Sequence, residues 1–208
     1  MDAYALPLAA LLGYILGSIP FGLLLTRAAG MGDIRSIGSG NIGATNVLRT
    51  GRKDIALATL LLDGGKAAVA LLLASQLLGG FEPGLLAGGM AFVGHCFPVW
   101  LKFKGGKGVA TFFGVLLAGL WQVGLIAGAT WLLTAGLFRM SSLASLTAAV
   151  AAPVAAGVFY PGNGAAIWFC VALAALIFWR HKENISRLLA GKEPKIGQKK
   201  DAPQNVDV

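Results

Sequence analysis

Residues 109–138 read VATFFGVLLAGLWQVGLIAGATWLLTAGLF, which is 30 residues without a charged side chain. As a single α-helix this stretch would be about 45 Å long, well beyond the roughly 30 Å hydrocarbon core of a bilayer. It is therefore either one steeply tilted span or two short helices that turn near Gly119–Gln122. The choice between them sets how often the chain crosses a membrane.

The composition around this stretch is that of an integral membrane protein. Hydrophobic residues make up 56% of the chain and charged residues 12%, and the mean hydropathy is +0.73. Backbone polar groups in lipid must be satisfied internally, and the strict alternation of a β-barrel is absent, so an all-α fold is predicted. The net charge of +8 does not indicate nucleic acid, because the basic residues flank apolar segments, where anionic lipid and topology explain them.

Five further apolar segments are predicted to span the membrane. Met1-Asp2 provides no basic start for a signal peptide, so the first segment is expected to stay as a span, bent near its cytoplasmic end by Pro20. The second and third are separated by a turn at Gly79–Gly84. The segments are Ala3–Thr26, Ile55–Leu78, Leu85–Leu101, Ser142–Phe159 and Ala165–Trp179.

The basic residues decide how residues 109–138 are divided. Five lie between Arg27 and Lys53, three between Lys102 and Lys107, one at Arg139 and seven from Arg180 onward, which is 16 of 17. Lys and Arg concentrate in cytoplasmic loops, and all 16 share one side only if the stretch is a hairpin. A seven-helix transmembrane bundle is therefore predicted, with two short helices, the fourth and fifth, an outside N-terminus and a cytoplasmic C-terminus.

The domain prediction is simple. Residues 1–197 form a single transmembrane domain, and the polar residues 198–208 form a disordered cytoplasmic tail. No internal repeat is visible, which gives little support to a transporter built from inverted halves.

The loop Gly38–Arg49 is polar, rich in glycine and uncharged until its last residue. Its glycines allow the main chain to approach a ligand, and successive N–H groups can then converge on an anion. The glycines match G-x-G-x-x-G, but no strand precedes them and no acidic residue follows about twenty positions on, which argues against a dinucleotide site. The alternatives left are half of a phosphate site and a flexible turn between helices.

Two more polar stretches are predicted at the same face. Lys104–Gly108 lacks the first glycine and the hydroxyl residue of a P-loop, but a lysine-rich turn at a helix start suits an anion. It could also be a positive-inside anchor. His181 and Asn184 share one face of a helix continuing from the last span, near Arg187, and His181 could be a general base, a donor to phosphate, or an ordinary interfacial histidine.

Several polar or reactive residues lie inside apolar segments. Asp63 and Lys66 are three apart in the second span, where an ion pair or a role in supporting the Gly38–Arg49 loop is expected. His95 either makes no more than a hydrogen bond to a neighbouring residue or takes part in the site. Cys96 and Cys170 are isolated, have no metal spacing, and are interpreted as buried small hydrophobes.

Three motifs resemble those of the bacterial acyl-phosphate:glycerol-3-phosphate acyltransferases, the PlsY family. They are Gly38–Asn46 with Arg49, Gly94–Pro98 with Phe103–Thr111, and His181–Ile185 with Arg187 and Gly191. The match covers nearly the whole chain, and three long motifs in order are highly specific. Ile42 departs from a proline expected in the family, which leaves the polar and glycine pattern intact.

The resemblance implies transfer of a fatty acyl group from acyl phosphate to the 1-hydroxyl of glycerol 3-phosphate, without acyl-CoA or acyl carrier protein as donor. It also implies a bacterial cytoplasmic (inner) membrane protein with its site at the cytoplasmic face, working as a monomer beside membrane lipid, without cofactor or metal. The catalytic residues expected are Ser39, Lys107, His181 and Asn184. The substrate-binding residues expected are Gly40, Asn41, Thr45, Asn46, Arg49, Lys104, Gly105, Gly106, Gly108 and Arg187.

The chemistry suggested by the residues agrees with this resemblance. No H-x-x-x-x-D pair follows His95 or His181, and no G-x-S-x-G elbow is present, so direct attack without an acyl-enzyme is the hypothesis. By analogy Ser39, Arg49 and Lys107 hold phosphate, and backbone N–H groups at Gly105, Gly106 and Gly108 meet the developing oxyanion. A phosphate-ester transporter and a lipid-binding scaffold are the alternatives.

Overall fold

The computed structural model describes residues 3–197, and every regular element in that range is helical. The predicted tail at 198–208 lies outside the described residues. Two 3-10 turns lie at Ile34–Ser36 and Val99–Leu101. The α-helices are α1 (Ala5–Gly17), α2 (Phe21–Ala28), α3 (Ala44–Leu48), α4 (Lys53–Leu77), α5 (Phe81–Cys96), α6 (Val109–Gly119), α7 (Trp121–Phe138), α8 (Ser141–Phe159), α9 (Gly164–Arg180) and α10 (Lys182–Leu189).

Several helices are long and apolar enough to cross a membrane. Within residues 3–197 there are five such spans, or six if α9 and α10 are counted as one bent span. The all-α membrane architecture is therefore confirmed, whereas the count of seven spans and the sides of the termini stay predictions. The five are Ala5–Ala28, Lys53–Leu77, Phe81–Leu101, Trp121–Phe138 and Ser141–Phe159.

The first span is interrupted near Pro20, where a bend was predicted. α1 ends at Gly17 and α2 begins at Phe21. Proline has no backbone N–H and cannot continue the hydrogen-bond ladder of a helix. At the interruption the Ile19 carbonyl accepts the Phe21 N–H at 3.2 Å, and its second lone pair accepts a side-chain hydrogen bond from another helix.

The predicted turn Gly79–Gly84 is too long. α5 already begins at Phe81, directly after Gly80, whose φ of 105° lies in the left-handed region that glycine tolerates. Pro83 therefore falls in the first turn of the helix, where its missing N–H has no intrahelical partner to lose. The proline signal marks the start of this helix and not the end of a loop.

Residues 109–138 form two helices that meet at Leu120. A Cβ on Gly124 would touch the backbone of Leu117, seven residues earlier, so the chain turns back at this point. Seven residues of straight helix would instead rise about 10 Å. The prediction that both helices are short is wrong for α7, which has 18 residues against 11 for α6, because the break lies near one end of the apolar stretch.

The sequence predicts that the helix of the last span continues through His181, but the structure shows a sharp bend there. α10 is bent by 65° from α9, and His181 lies at the bend, beyond the end of the span. The polar residues that follow are thereby turned aside from the direction of α9.

Small residues allow the site-bearing helices to pack closely. A Cβ on Gly114 of α6 would fall on the Gly64 carbonyl oxygen of α4. Close packing of this kind is common between membrane helices, where small residues let two backbones approach. Cys96 and Cys170 are both buried in the apolar core and unpaired, as predicted.

Candidate active site

One cleft of about 2440 Å³ brings the three polar stretches together. Lys104 and Gly106 do not line it: the Lys104 side chain is exposed elsewhere and Gly106 is buried behind the wall. The other predicted site residues all line the cleft. They are Ser39, Gly40, Asn41, Thr45, Asn46, Arg49, Gly105, Lys107, Gly108, His181, Asn184 and Arg187.

The cleft changes character along its length. Its polar end is formed by the Gly38–Arg49 loop, the turn before α6, and α10. Its other end runs between α4, α6 and α7 and is lined by large apolar side chains. These are Leu57, Leu60, Leu61, Phe113, Leu117, Leu125 and Leu132. A ligand with a charged head and a long apolar tail fits a cleft of this kind.

Asn46 holds the Gly38–Arg49 loop in shape. It is buried, and its Nδ2 donates to the carbonyls of Ile34, Ile37 and Asn41 at 3.1, 2.9 and 2.8 Å. Its Oδ1 accepts from the Ser39 N–H at 3.0 Å and from Ser39 Oγ at 3.3 Å. Asn46 was expected to contact substrate, but its amide is already engaged by the loop, so it acts as a positioning residue.

The remaining polar arms of this loop are accessible from the cleft. Ser39, Thr45 and Arg49 are exposed. The Asn41 side chain is partly engaged, because its Oδ1 accepts from the Gly43 N–H at 2.9 Å. Thr45 and Arg49 can therefore donate hydrogen bonds to an anion from a loop that Asn46 and Asn41 stabilise, and Ser39 can do so when its hydroxyl turns away from Asn46 Oδ1.

The glycines of the turn before α6 do not all have the role that was expected. The N–H of Gly105 donates to the Cys96 carbonyl at 3.1 Å, and that of Gly106 donates to the His95 carbonyl at 3.0 Å. Both groups are therefore engaged and cannot bind an oxyanion, which corrects the prediction for these two residues. The N–H groups of Lys107 and Gly108, at the start of α6, make no hydrogen bond within residues 3–197.

Arg180 fixes this turn from the other side, and sequence reasoning missed it. Its Nε donates to the Gly106 carbonyl and its Nη2 to the Gly105 carbonyl, both at 3.0 Å. The guanidinium also lies 5.0 Å from the centre of the Phe97 ring. The sequence does place this arginine at the end of an apolar helix, directly before the motif histidine His181. Its charge was used only to predict which side of the membrane the segment lies on.

Lys107 and Asn184 connect the turn to α10. Lys107 Nζ donates to Asn184 Oδ1. Burial and the nearby Arg187 charge together lower the pKa of Lys107 to about 8, despite the opposing carboxylates of Glu193 and Glu183. Lys107 is therefore a cation at neutral pH, in a position where an incoming anion would relieve its unfavourable surroundings.

Glu193 is the second residue that sequence reasoning missed, because the matched motif ended at Gly191. Its carboxylate accepts from Ser142 Oγ at 2.7 Å, Asn184 Nδ2 at 2.6 Å and Arg187 Nε at 2.7 Å. Burial raises the pKa of Glu193, but these three donors and the Arg187 charge outweigh it, so the pKa lies below its usual value. Glu193 therefore orients Asn184 towards Lys107 and holds Arg187.

His181 is oriented by the helix that ends before it. Its Nδ1 lies 2.8 Å from the Ile177 carbonyl, which can only accept, so the proton is on Nδ1. Burial lowers the pKa of His181 to about 4, although this hydrogen bond opposes the shift. The imidazole is therefore neutral at neutral pH, and its Nε2 carries a lone pair suited to a base or acceptor and not to a cationic phosphate donor.

Comparisons with known proteins agree with this geometry. The family model for glycerol-3-phosphate acyltransferase matches residues 7–191. The glycerol-3-phosphate acyltransferase of Caulobacter vibrioides is 64% identical over 197 residues, covering 92% of this chain and 88% of that protein.

Two crystal structures show the same architecture. They are of PlsY (YgiH), an integral membrane glycerol 3-phosphate acyltransferase, in its glycerol 3-phosphate and lysophosphatidic acid forms. Each matches 92% of this chain and 95% of its own, with identities of 37% and 36% and TM-scores of 0.86 and 0.84 respectively. This chain, a multi-pass helical membrane protein with the motifs above, belongs to the glycerol-3-phosphate acyltransferase family.

Proposed function

We propose that this protein transfers a fatty acyl group from acyl phosphate to the 1-hydroxyl of glycerol 3-phosphate, giving lysophosphatidic acid and inorganic phosphate. The observation that carries the proposal is the two-ended cleft, with Arg49 and Lys107 at its polar end and leucines of α4, α6 and α7 along the rest. Acyl phosphate combines an anionic head with an apolar tail. The related PlsY crystallised with glycerol 3-phosphate and with lysophosphatidic acid, the acceptor and product of this reaction.

The residues at the polar end are assigned to the two phosphate-bearing substrates. Ser39, Arg49 and Lys107 bind phosphate, with the free N–H groups of Lys107 and Gly108 at the positive end of the α6 dipole. His181 and Asn184 position glycerol 3-phosphate. Thr45, Gly40, Asn41 and Arg187 complete the polar wall.

The reaction is proposed to proceed by direct attack. The 1-hydroxyl oxygen bonds to the acyl carbon, the bond from that carbon to the phosphate oxygen breaks, and inorganic phosphate leaves. His181 Nε2 and the acceptor's own phosphate are the groups that could take the hydroxyl proton. Among residues 3–197 neither histidine bonds a serine hydroxyl, so no activated serine supports an acyl-enzyme.

The setting of the reaction belongs to the same proposal. The distribution of Lys and Arg supports seven spans, an outside N-terminus and a site at the cytoplasmic face. The family resemblance supports the bacterial inner membrane. Residues 1–197 act as one domain, and one copy contains all the site residues named above, which supports a monomer.

The test is phosphate release by detergent-purified protein supplied with palmitoyl phosphate, with and without glycerol 3-phosphate. Release that requires glycerol 3-phosphate, yields lysophosphatidic acid and collapses in Ser39→Ala would support the proposal. Ser36→Ala is the matched control, because Ser36 ends the 3-10 turn just before this loop and does not line the cleft. Within residues 3–197 its hydroxyl bonds only the Asp33 carbonyl.

A parallel reaction with palmitoyl-CoA tests the donor. Turnover with the thioester and none with palmitoyl phosphate would disprove the acyl-phosphate donor and leave the family's transfer to glycerol 3-phosphate in place. Acyl-serine trapped on the protein would disprove direct attack.

A further inference from the structure

Three ionisable side chains at the inner wall of the cleft have no role in the reaction described above. Asp63, Lys66 and His95 are 1%, 6% and 4% exposed, and Asp63 and His95 line the cleft. All three lie in apolar membrane-spanning segments, where ionisable groups are costly and tend to serve a function. The predicted Asp63–Lys66 ion pair is present at 2.7 Å, but it is only part of a larger network.

Lys66 joins three segments of the chain. Its Nζ lies 2.7 Å from Asp63 Oδ1 on its own helix, 2.6 Å from the Ile19 carbonyl at the break in the first span, and 3.0 Å from His95 Nδ1 on α5. These contacts match the three protons of an ammonium group, which has no lone pair to accept a bond. His95 Nδ1 also lies 3.6 Å from Asp63 Oδ1, which is beyond hydrogen-bond distance. The 3.0 Å contact with the ammonium therefore makes Nδ1 the acceptor, and the ring proton lies on Nε2.

The Nε2 side of His95 meets the turn that carries Lys107. A Cβ on Gly106 would collide with this nitrogen, so the ring packs directly against the Gly106 backbone. The His95 carbonyl also accepts the Gly106 N–H at 3.0 Å. Within residues 3–197 no partner takes the Nε2 proton, and the neighbours Gly105 and Lys107 both face the cleft.

We propose that His95 is a further substrate-contacting residue, whose Nε2–H donates to an oxygen of the bound phosphate-bearing substrate beside Lys107. Asp63 and Lys66 are positioning residues that fix the tautomer needed for this donation. The inference rests on the proposed function for the identity of the substrate. A purely structural ion pair would account for Asp63 and Lys66, but not for a histidine held against the turn with its donor nitrogen left unused.

The tautomer can be measured without turnover. The chain has two histidines, so protein labelled with ¹⁵N-histidine gives two sets of ring signals, and His181→Gln identifies each. At neutral pH both rings should be neutral with opposite tautomers, His181 protonated on Nδ1 and His95 on Nε2. A cationic His95, or His95 protonated only on Nδ1, would overturn the proposal.

The positioning role is tested with a charge-neutral double variant. Removing Lys66 alone would leave Asp63 buried and unpaired, which destabilises a fold strongly, so Asp63→Asn is combined with Lys66→Met. The double variant should fold, show His95 with its Nδ1–H form populated, leave the His181 signals unchanged and lose activity. A folded double variant with wild-type tautomer and wild-type kcat would overturn the role of the pair.

The donor role is tested at His95 itself. His95→Gln can place an amide N–H near the position of Nε2, whereas His95→Leu cannot. His95→Leu should lower kcat/KM by about 10²-fold, the size expected for losing one hydrogen bond to a charged group, and His95→Gln should recover a large part of it. Equal activity of the leucine variant and the wild type would remove His95 from the site. If the wild type itself fails to use acyl phosphate, the proposed acyl donor is wrong. The tautomer measurement does not depend on turnover and still tests the role of His95.

Discussion

The Lys107 ammonium donates a hydrogen bond to the side-chain oxygen of Asn184, 77 residues further along the chain. Asn184 in turn donates to Glu193, so an internal chain of donors and acceptors extends across the polar end of the cleft. The two motifs are therefore parts of one site, and a change in one should alter substrate binding by the other.

Lys107→Ala should raise the KM for a phosphate-bearing substrate at least about tenfold, which corresponds to about 1.4 kcal/mol of binding. The cation is lost while Asn184 keeps its bond to Glu193. Steady-state kinetics with each substrate varied in turn would identify the affected phosphate. Unchanged KM values for both substrates would exclude Lys107 from phosphate binding.

Activity should also fall at alkaline pH. The pKa of Lys107 is lowered to about 8, so the side chain is charged below that pH and loses its charge as the pH rises through it. We expect kcat/KM to fall above about pH 8 in the wild type. Lys107→Arg keeps its charge throughout and should lack this decline, and a decline identical to that of the wild type would assign it to another group.

Asn46→Asp should disrupt the Gly38–Arg49 loop. It replaces an amide that donates to the carbonyls of Ile34, Ile37 and Asn41 with a carboxylate that repels them. Thermal unfolding should move to lower temperature and activity should fall strongly. Asn163→Asp is the matched control, because that side chain caps α9, where Asp serves equally well. Equal effects of the two changes would contradict the assigned role.

Glu193→Gln should destabilise the protein by about 1–3 kcal/mol, since charge-assisted bonds from Asn184 and Arg187 are weakened in a buried place. The KM for glycerol 3-phosphate should also rise, because Asn184 is no longer held. Thermal unfolding and acceptor kinetics measure the two effects. Glu82→Gln, on an exposed residue at the start of α5, should change neither.

Gly106→Ala should abolish most activity, because the added methyl group would occupy the position of the His95 ring. Either the turn or the histidine must move, and both face the cleft. Gly157→Ala in α8 meets no atom within 4 Å and should be neutral or slightly stabilising. Normal turnover by Gly106→Ala would show that the contact between the ring and the turn is dispensable.

The sequence was a good guide to which stretches of the chain come together at the cleft. It was a poorer guide to the hydrogen bonds that individual residues make there. Charge distribution alone indicated that the Gly38–Arg49 loop, the turn before α6 and the His181 segment share a face, and all three line the cleft. Polarity could not tell a side chain that binds ligand from one that binds the loop, which is why Asn46 was misassigned. Glycine likewise indicates close approach, but not what approaches, and at Gly106 it is His95.

Arg180 and Glu193 were missed for a related reason. Arg180 bonds the backbone carbonyls of Gly105 and Gly106, which lie 75 and 74 residues away in the sequence. Glu193 bonds side chains on α8 and α10, but it lies beyond Gly191, the last residue of the matched motif. The α6–α7 turn was predicted because charge constrains topology, whereas the 65° bend after α9 was not, because no proline or glycine marks it.

That bend determines where the polar residues after α9 lie. Because α10 leaves the axis of α9 at once, His181, Asn184 and Arg187 line the polar end of the cleft, where Asn184 contacts Lys107. In the proposed reaction, a soluble acceptor would reach these residues from water while the tail of a lipid-borne donor stays among the leucines. On that proposal neither substrate changes phase before it reacts, and the protein does not have to extract a substrate from water or from lipid.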